Sequence, residues 1–356
     1  MTIGIIGAGI TGLSLNHYLH RSGVDSVVFE SENQPGGAIK SDQIDDHRLE
    51  RGPQRIRYSQ PVRSLVADLD LQDAVIEGND CPLSIYRAGK LRTVPLSLRE
   101  AFTTDLLSWR AKLRVLFEPL TDPPKSNETV AEFLDRTLGS EVRKYAIGPI
   151  YGGLYGSDVR EMYMRHSLGK ALQKYGIEEN LLFGLLTAAW NRDQPPIISF
   201  DKGLQQLPNA LYSRHSDAIH LNTPVHSIKN TDTGYRIETT EQSYIVDQVI
   251  LTTPAYITAQ LLDEILPTQA EQLAKLNYNS LTLVYLKSDV SLQASGFQIP
   301  FTNSQFVTLG VTNIQGLFDQ RTHYTCFMGG SKHPDFHESS DEKIQRQAIH
   351  EFETIM

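Results

Sequence analysis

Three glycines, Gly7, Gly9 and Gly12, follow the apolar run Ile3, Ile5 and Ile6, and Leu13 to Leu19 continues in helical spacing. A strand, a tight turn and a helix in that order leave few folds open. Gly7 permits the turn, Gly9 lets a diphosphate approach the backbone without a Cβ in the way, and Gly12 lets the helix pack on the strand. The helix N-terminus then offers unpaired N–H groups and a favourable dipole to a phosphate, with Ala8, Ile10 and Thr11 completing the loop. Gly23 ends the helix, "SVVFE" reads as a second strand, and Glu30 closes it 18 residues after Gly12. A carboxylate there accepts hydrogen bonds from ribose hydroxyls and repels a 2′-phosphate, so NADP is disfavoured. The expectation is an adenine-dinucleotide site in an α/β, Rossmann-like domain.

The balance of the chain narrows the function classes. Of 356 residues, 40% are hydrophobic and 21% charged, enough for one large core or two ordinary ones. A net charge of −9 argues against nucleic-acid binding, which needs a basic surface. Cys81 and Cys326 stand far apart without CxxC spacing, so no disulfide framework or thiolate metal site is expected, and a reducing, cytoplasmic setting fits. The run "LLFGLLTAAW" from Leu181 is about half a membrane span, and Ile3 leaves no room for a leader, so neither a spanning helix nor a signal peptide is expected. His333 and His337 in "KHPDFH" lack a third ligand nearby, and no metal is expected. The adjacent acidic pairs Asp45 with Asp46 and Glu178 with Glu179 diverge instead of converging on a bond. No GxSxG or Walker A loop occurs, and the catalytic residues stay unassigned.

Further along, Gly36 and Gly37 suggest a second backbone contact with the same diphosphate, alongside Ser31 and Ala38. In "LERGPQRIR", Gly52 and Pro53 make a fixed turn that could lie against a flat ring system, followed by Gln54 and Arg55. The run GAGITG, Glu30, the glycine pair and Glu50 to Pro53 resembles the FAD-binding start of the flavin amine oxidase superfamily, and most of all protoporphyrinogen oxidases. "RAGKLRTVP", "IGPIYGGLYGSDVREMYMRHSLGKALQKYG", "SFDKGLQQLPNAL", "LNTPVHSI" and "VILTTPA" extend that resemblance over nearly all of the chain. It implies non-covalent FAD, with the backbone of Val225 at the adenine and the strand end Thr252, Thr253 and Pro254 passing close to the flavin. It also implies repeated two-electron oxidation of protoporphyrinogen IX with molecular oxygen as acceptor, the protein holding substrate and ring together and excluding water. Related FAD enzymes acting on amines or carotenoids, or a non-catalytic relative, are the alternatives.

Several positions depart from the family pattern. Ala38 and Gln34 stand where basic residues are common, and Leu83 stands where some members carry an arginine thought to meet a substrate propionate. Members also run on beyond the point matching Met356, so the chain is expected to be a fragment or a short form with an incomplete flavin site. It ends in what reads as a polar helix, "SSDEKIQRQAIHEFETIM".

A tetrapyrrole demands a broad apolar pocket with cations at its rim. Tyr151, Leu154 and Tyr155 in the segment Ile150 to Gly156 could wall it, or that segment could be a helix break packed in the core. Within the cluster Arg48, Arg51, Arg55, Arg57 and Arg63, Arg55 is a candidate for flavin phosphate and Arg57 for a substrate carboxylate, with a solvated basic face as the other reading. Residues 1–75 and 200–260 are expected to form one discontinuous FAD-binding domain, 95–190 a helical subdomain, and 76–94 with 261–356 a mixed-sheet substrate domain. "DLLSWRAKLRVLFEPL" is the clearest amphipathic piece, its Leu106, Leu107, Leu113, Leu116 and Phe117 reading as core-facing, with peripheral membrane contact as the alternative. "SNETVAEFLDRTLG" reads as a helix with a Ser or Asn cap and a closing glycine.

Overall fold

The computed structural model describes residues 1–45, 47–95, 97–125, 127–174, 195–318 and 323–356. The run 181–190 and the pair Glu178 and Glu179 lie outside them. The chain divides into two compact units, residues 1–78 with 195–278, and residues 79–194 with 279–356.

The first unit is built on a parallel sheet in the order Ile219–His220, Asp25–Phe29, Thr2–Ile6, Gln248–Leu251. Side-chain alternation along the central strand assigns its two faces. Ile3 and Ile5 are buried with Leu13, Val66, Leu207 and Leu211 from the helices Ile10–Arg21, Gln60–Asp68 and Gln206–Arg214. Gly4 and Ile6 point the other way, toward the antiparallel meander Val225–Thr231, Gly234–Thr239, Ser243–Val246. A Cβ on Gly4 would lie 2.5 Å from Ile237 Cδ1, so the glycine sets the spacing between the two sheets.

Three histidines tie the first helix to the helix Gln206–Arg214. His17, buried, has Nδ1 3.0 Å from His215 Nε2, and the His20 ring lies 4.9 Å from that of His215. Asp68 faces His17 at 3.6 Å and pairs with Arg21, while Arg214 pairs with Asp70. Burial, reinforced by His20, His17 and Arg214, pushes His215 down to about 4, and burial also lowers His17 against the pull of Asp68. The folded chain therefore holds His17 and His215 neutral where the unfolded chain, near 6.5, takes up protons. Their contribution is complete above pH 6.5 and is lost as pH falls from 6.5 toward 4. Allowing for partial exposure, the loss amounts to about 2 kcal/mol. Thermal melts at pH 7.5 and 5.0 should show it, and His215→Gln should flatten the difference; an unchanged pH dependence in that variant refutes the assignment.

The second unit carries a mixed sheet in the order Leu281–Leu286, Tyr324–Gly329, Thr308–Asn313, Gly296–Gln298, Leu83–Arg87, Lys90–Thr93, with only Gly296–Gln298 and Leu83–Arg87 parallel. The closing segment, expected to be polar, is an amphipathic helix, Asp341–Ile355. Ile344, Ala348, Phe352 and Ile355 recur at helical spacing and join Phe297, Val311, Tyr324 and Met328 in one core. Glu351 is buried because its carboxylate accepts the amides of Val307 and Thr308 at 2.7 and 2.9 Å.

Helices of the same unit depart from expectation in two places. The amphipathic piece begins its helix only at Trp109, because Ser108 caps the Ala111 amide and donates to Glu141 Oε2. That phase turns Ala111 and Lys112 inward, Lys112 Nζ donating to the carbonyls of Phe102 and Thr104. Leu106 is buried, but Trp109, Leu113, Leu116 and Phe117 are exposed, Phe117 by 62%. The helix Val130–Thr137 is capped by Thr129 and Glu132 reciprocally, not by Asn127, and Ser126 lies outside the described residues. Among the described residues, no helix is long and apolar enough to cross a membrane.

Candidate cofactor cleft

The parallel strands of the first unit end together, where ligands of such sheets bind. Gly7 donates to Phe29 O at 2.8 Å, Glu30 to His220 O at 2.9 Å and Thr252 to Ile6 O at 2.9 Å, bringing the glycine turn, the acid and the last strand side by side. Each glycine of the turn has its own reason. Gly7 sits at φ +102°, a conformation that disfavours a side chain. A Cβ on Gly12 would fall 2.1 Å from Gly7 O, so the helix can lie on the turn only without one. A Cβ on Gly9 would meet nothing within 4 Å. The protein itself makes no use of the space beside Gly9, which opens into a cleft of about 870 Å³.

The rest of the cleft is arranged around that space. The helix Ile10–Arg21 starts at Gly9 without a side-chain cap and without an acid in its first turn, so its leading amides are free for an anion. Gly36 donates to Ala8 O at 2.8 Å, and a Cβ on Gly37 would lie 3.2 Å from Gly9 Cα, so the second glycine pair lies against the first. Glu30 is 9% exposed, its carboxylate fixed by the amides of Ala8 (2.8 Å) and Glu32 (3.0 Å) and by Ser31 Oγ (3.2 Å). Thr223 donates to Glu30 O at 2.7 Å and brings Val225 to the cleft wall. Thr252 Oγ1 donates to Gly7 O at 2.9 Å and sets Thr253 and Pro254 at the opposite wall. These groups suit an adenine dinucleotide: free amides for a diphosphate, an oriented carboxylate for ribose, and apolar walls for a ring.

Of the residues singled out in the sequence, Gly7, Gly9, Ile10, Thr11, Glu30, Ser31, Gly36, Gly37, Ala38, Val225, Thr253 and Pro254 line this cleft. Ala8 and Gly12 support it from behind. Gly52, Pro53, Gln54 and Arg55 are not in its wall. A Cβ on Gly52 would lie 1.9 Å from Ala38 O, which makes it a packing glycine. The neighbouring Glu50 is buried and accepts the Leu204 amide at 3.0 Å, while Gln54 Nε2 donates to Glu50 O at 2.8 Å. Phe29, His226, Tyr256 and Gln260 also line the cleft and carried no motif by which to find them.

The arginine cluster resolves locally. Arg48 donates to Gln43, Arg51 pairs with Asp42, Arg57 donates to Pro195 O at 3.0 Å, and Arg63 donates to Tyr58 O and covers that ring. Arg55 has a shielded Nη1 without a partner. Tyr151, Leu154 and Tyr155 sit in the second unit on the helix Gly148–Tyr155. They form a helix end, not a helix break. The Tyr151 and Tyr155 rings are 5.0 Å apart, burial raises the Tyr151 hydroxyl above its usual range, and Leu154 is 73% exposed. A Cβ on Gly153 would lie 2.0 Å from Gln298 Oε1, so that glycine makes room for the amide of the facing strand.

The chain is similar to known proteins. The chloroplastic protoporphyrinogen oxidase of Nicotiana tabacum is 26% identical over 379 residues, taking in 96% of this chain and 69% of that protein. The coproporphyrinogen III oxidase of Staphylococcus aureus is 27% identical over 281 residues, 71% of this chain and 60% of that protein. A solved structure from Exiguobacterium sp. 255-15 superposes with a TM-score of 0.82 at 23% identity, covering 99% of this chain and 82% of that one. The family described as flavin containing amine oxidoreductase matches residues 10–356. With a glycine turn, a ribose-ready carboxylate and that match in hand, the chain belongs to the flavin containing amine oxidoreductase family and is an FAD-dependent oxidoreductase.

Proposed function

We propose that the chain oxidises a porphyrinogen, protoporphyrinogen IX in the first instance, to the porphyrin, with oxygen as the final acceptor and FAD seated in the cleft of the first unit. The observation that carries the cofactor assignment is the open space beside Gly9, next to an uncapped helix N-terminus. Bound FAD supplies the two-electron acceptor. In this reading the amides of Ile10 and Thr11 and the Gly36–Gly37 loop hold the diphosphate, Glu30 holds the ribose, and Val225 holds the adenine. Thr253 and Pro254 shape the wall beside the flavin, and the second unit carries the substrate, with Tyr151, Leu154 and Tyr155 as one apolar face of its site. The chain need only orient the porphyrinogen and exclude water, because the substrate's pyrrole N–H groups shed their own protons. Support for this substrate comes from the two porphyrinogen-oxidising relatives.

The test has two parts. Purified protein should carry a flavin absorbance spectrum or acquire one with added FAD, and a colourless chain that takes up none ends the cofactor assignment. The flavin-loaded chain should generate porphyrin fluorescence from protoporphyrinogen IX above the spontaneous rate. Activity on coproporphyrinogen III alone would move the substrate to that of the staphylococcal relative, and activity on amines alone would favour the amine oxidase alternative.

We propose in addition that the exposed stripe Trp109, Leu113, Leu116, Phe117 and Leu120 lies on a bilayer surface, as its apolar exposure beside Arg110 and Arg114 suggests. Co-sedimentation with zwitterionic vesicles should fall severalfold in the double variant Trp109→Ser and Phe117→Ser. Equal sedimentation of the two proteins rules the stripe out.

A further inference from the structure

Two consecutive glutamines in the segment "SFDKGLQQLPNAL" serve different parts of the first unit. Gln206 stays local, its Oε1 accepting the Lys202 amide at 2.8 Å. Gln205 reaches a loop 170 positions earlier, where its Nε2 donates to Pro35 O at 2.7 Å, and it donates also to Asn209 Oδ1 at 3.2 Å. The same peptide unit is held from its other side, because the Gly36 amide donates to Ala8 O at 2.8 Å. Both polar groups of the Pro35–Gly36 peptide are fixed, and the plane of that peptide with them. Pro35 and Gly36 are buried, and a Cβ on Gly36 would lie 3.0 Å from Gln205 Nε2, so the glutamine amide packs directly behind the loop. Gly37, at φ +58°, then comes forward against Gly9.

Gln205 is itself held. Its backbone amide donates to Ser41 Oγ at 3.1 Å, and that hydroxyl donates to Glu50 Oε2 at 2.5 Å. Glu50 is 1% exposed, and its other oxygen accepts the Leu204 amide at 3.0 Å, so a buried carboxylate anchors the turn from which Gln205 reaches out. Neither Gln205 nor Ser41 is in the wall of the cleft. The loop brings no cation there either: residues 31–39 contain no lysine or arginine, and Lys40 is paired with Glu32. Its main-chain N–H groups are what it can offer an oxyanion, and such a bond weakens steeply as the donor turns away.

We infer that Gln205 is the positioning residue of the diphosphate loop: through Pro35 O it fixes the direction in which the Gly36–Gly37 backbone meets the oxyanion. This rests on the reading of the cleft as the diphosphate site of FAD. Ordering the loop before the cofactor arrives removes that cost from binding.

The test takes the full chain, stripped of flavin and titrated with FAD, as wild type, Gln205→Met, Ser41→Ala and the control Gln206→Met. Methionine keeps the reach of glutamine and has no donor. Gln205→Met should weaken FAD about tenfold and weaken ADP, as a competitor, by the same factor. Adenosine, which lacks the diphosphate, should compete as it does with wild type. Ser41→Ala, which frees the backbone of Gln205, should show the same split to a smaller degree, and Gln206→Met should bind all three as wild type does. In the flavin-free proteins, hydrogen exchange at the Gly36 amide should quicken in Gln205→Met while the melting temperature stays within about 3 °C of wild type. Unchanged FAD binding in Gln205→Met or Ser41→Ala, or equal weakening of ADP and adenosine, overturns the inference. So does a large fall in melting temperature, or a Gln206→Met that binds as weakly as Gln205→Met, since the glutamine would then be a packing residue only. Retention of FAD by Gly9→Val would overturn the diphosphate reading of the cleft itself, and that result does not depend on any Gln205 variant.

Discussion

Replacing Gly9 with valine yields a folded chain that does not retain FAD. A Cβ at this position would meet no protein atom within 4 Å, so the apoprotein has little to lose by gaining a side chain there. The residue is also in ordinary extended backbone, φ −68° and ψ 173°, which valine adopts without strain. The only casualty is the ligand, since the branched side chain would stand where the diphosphate meets the helix amides. Displacing the diphosphate by even one contact distance costs about 3 kcal/mol of binding, roughly a hundredfold in affinity. The melting temperature of the flavin-free variant should match that of flavin-free wild type, while flavin absorbance after gel filtration disappears. A variant that keeps full flavin occupancy would show that the cofactor lies elsewhere.

Gly12→Val, three residues further on, fails in the opposite way. Its Cβ would be 2.1 Å from Gly7 O and 2.8 Å from Thr252 Oγ1. The first of these is backbone, held in place because Gly7 donates to Phe29 O at 2.8 Å and Thr252 Oγ1 donates to Gly7 O at 2.9 Å. Relief requires the helix to lift off the sheet and uncover Leu13, which is fully buried. Overpacking of this kind costs about 3 kcal/mol or more, and that is a large part of a typical stability. A fall of about 10 °C in melting temperature is expected, with flavin loss following from the misplaced turn. Full stability in Gly12→Val would contradict the packing described for the helix. The two glycines thus separate cofactor binding from folding within one short motif.

Much of the cleft was legible from the chain because its requirements are local. A turn needing positive φ, a helix with bare amides at its start and a carboxylate at the next strand end are written within the first 30 residues. Gly52 was legible as a special position but not for its reason, which is the Ala38 carbonyl packed against it. The stripe from Trp109 shows the limit of periodicity. The spacing of Leu113, Leu116 and Phe117 is equally suited to a core or an exposed face, and only the Ser108 cap and the inward Lys112 decide. The last helix shows the reverse, since its polar composition hides a stripe that becomes apparent when the sheet it covers is in view.

By itself the sequence determined the dinucleotide turn, the strand carrying Glu30 and the alternation of elements that makes a parallel sheet, since each depends on the conformations and hydrogen bonds of residues close along the chain. Only the tertiary structure decided which of two neighbouring arginines is spent and which is left unpaired, because that depends on the Pro195 carbonyl, 138 positions away, and on what shields Arg55 from water. Charge is written in the sequence, but its solvation is set by neighbours that are distant along the chain.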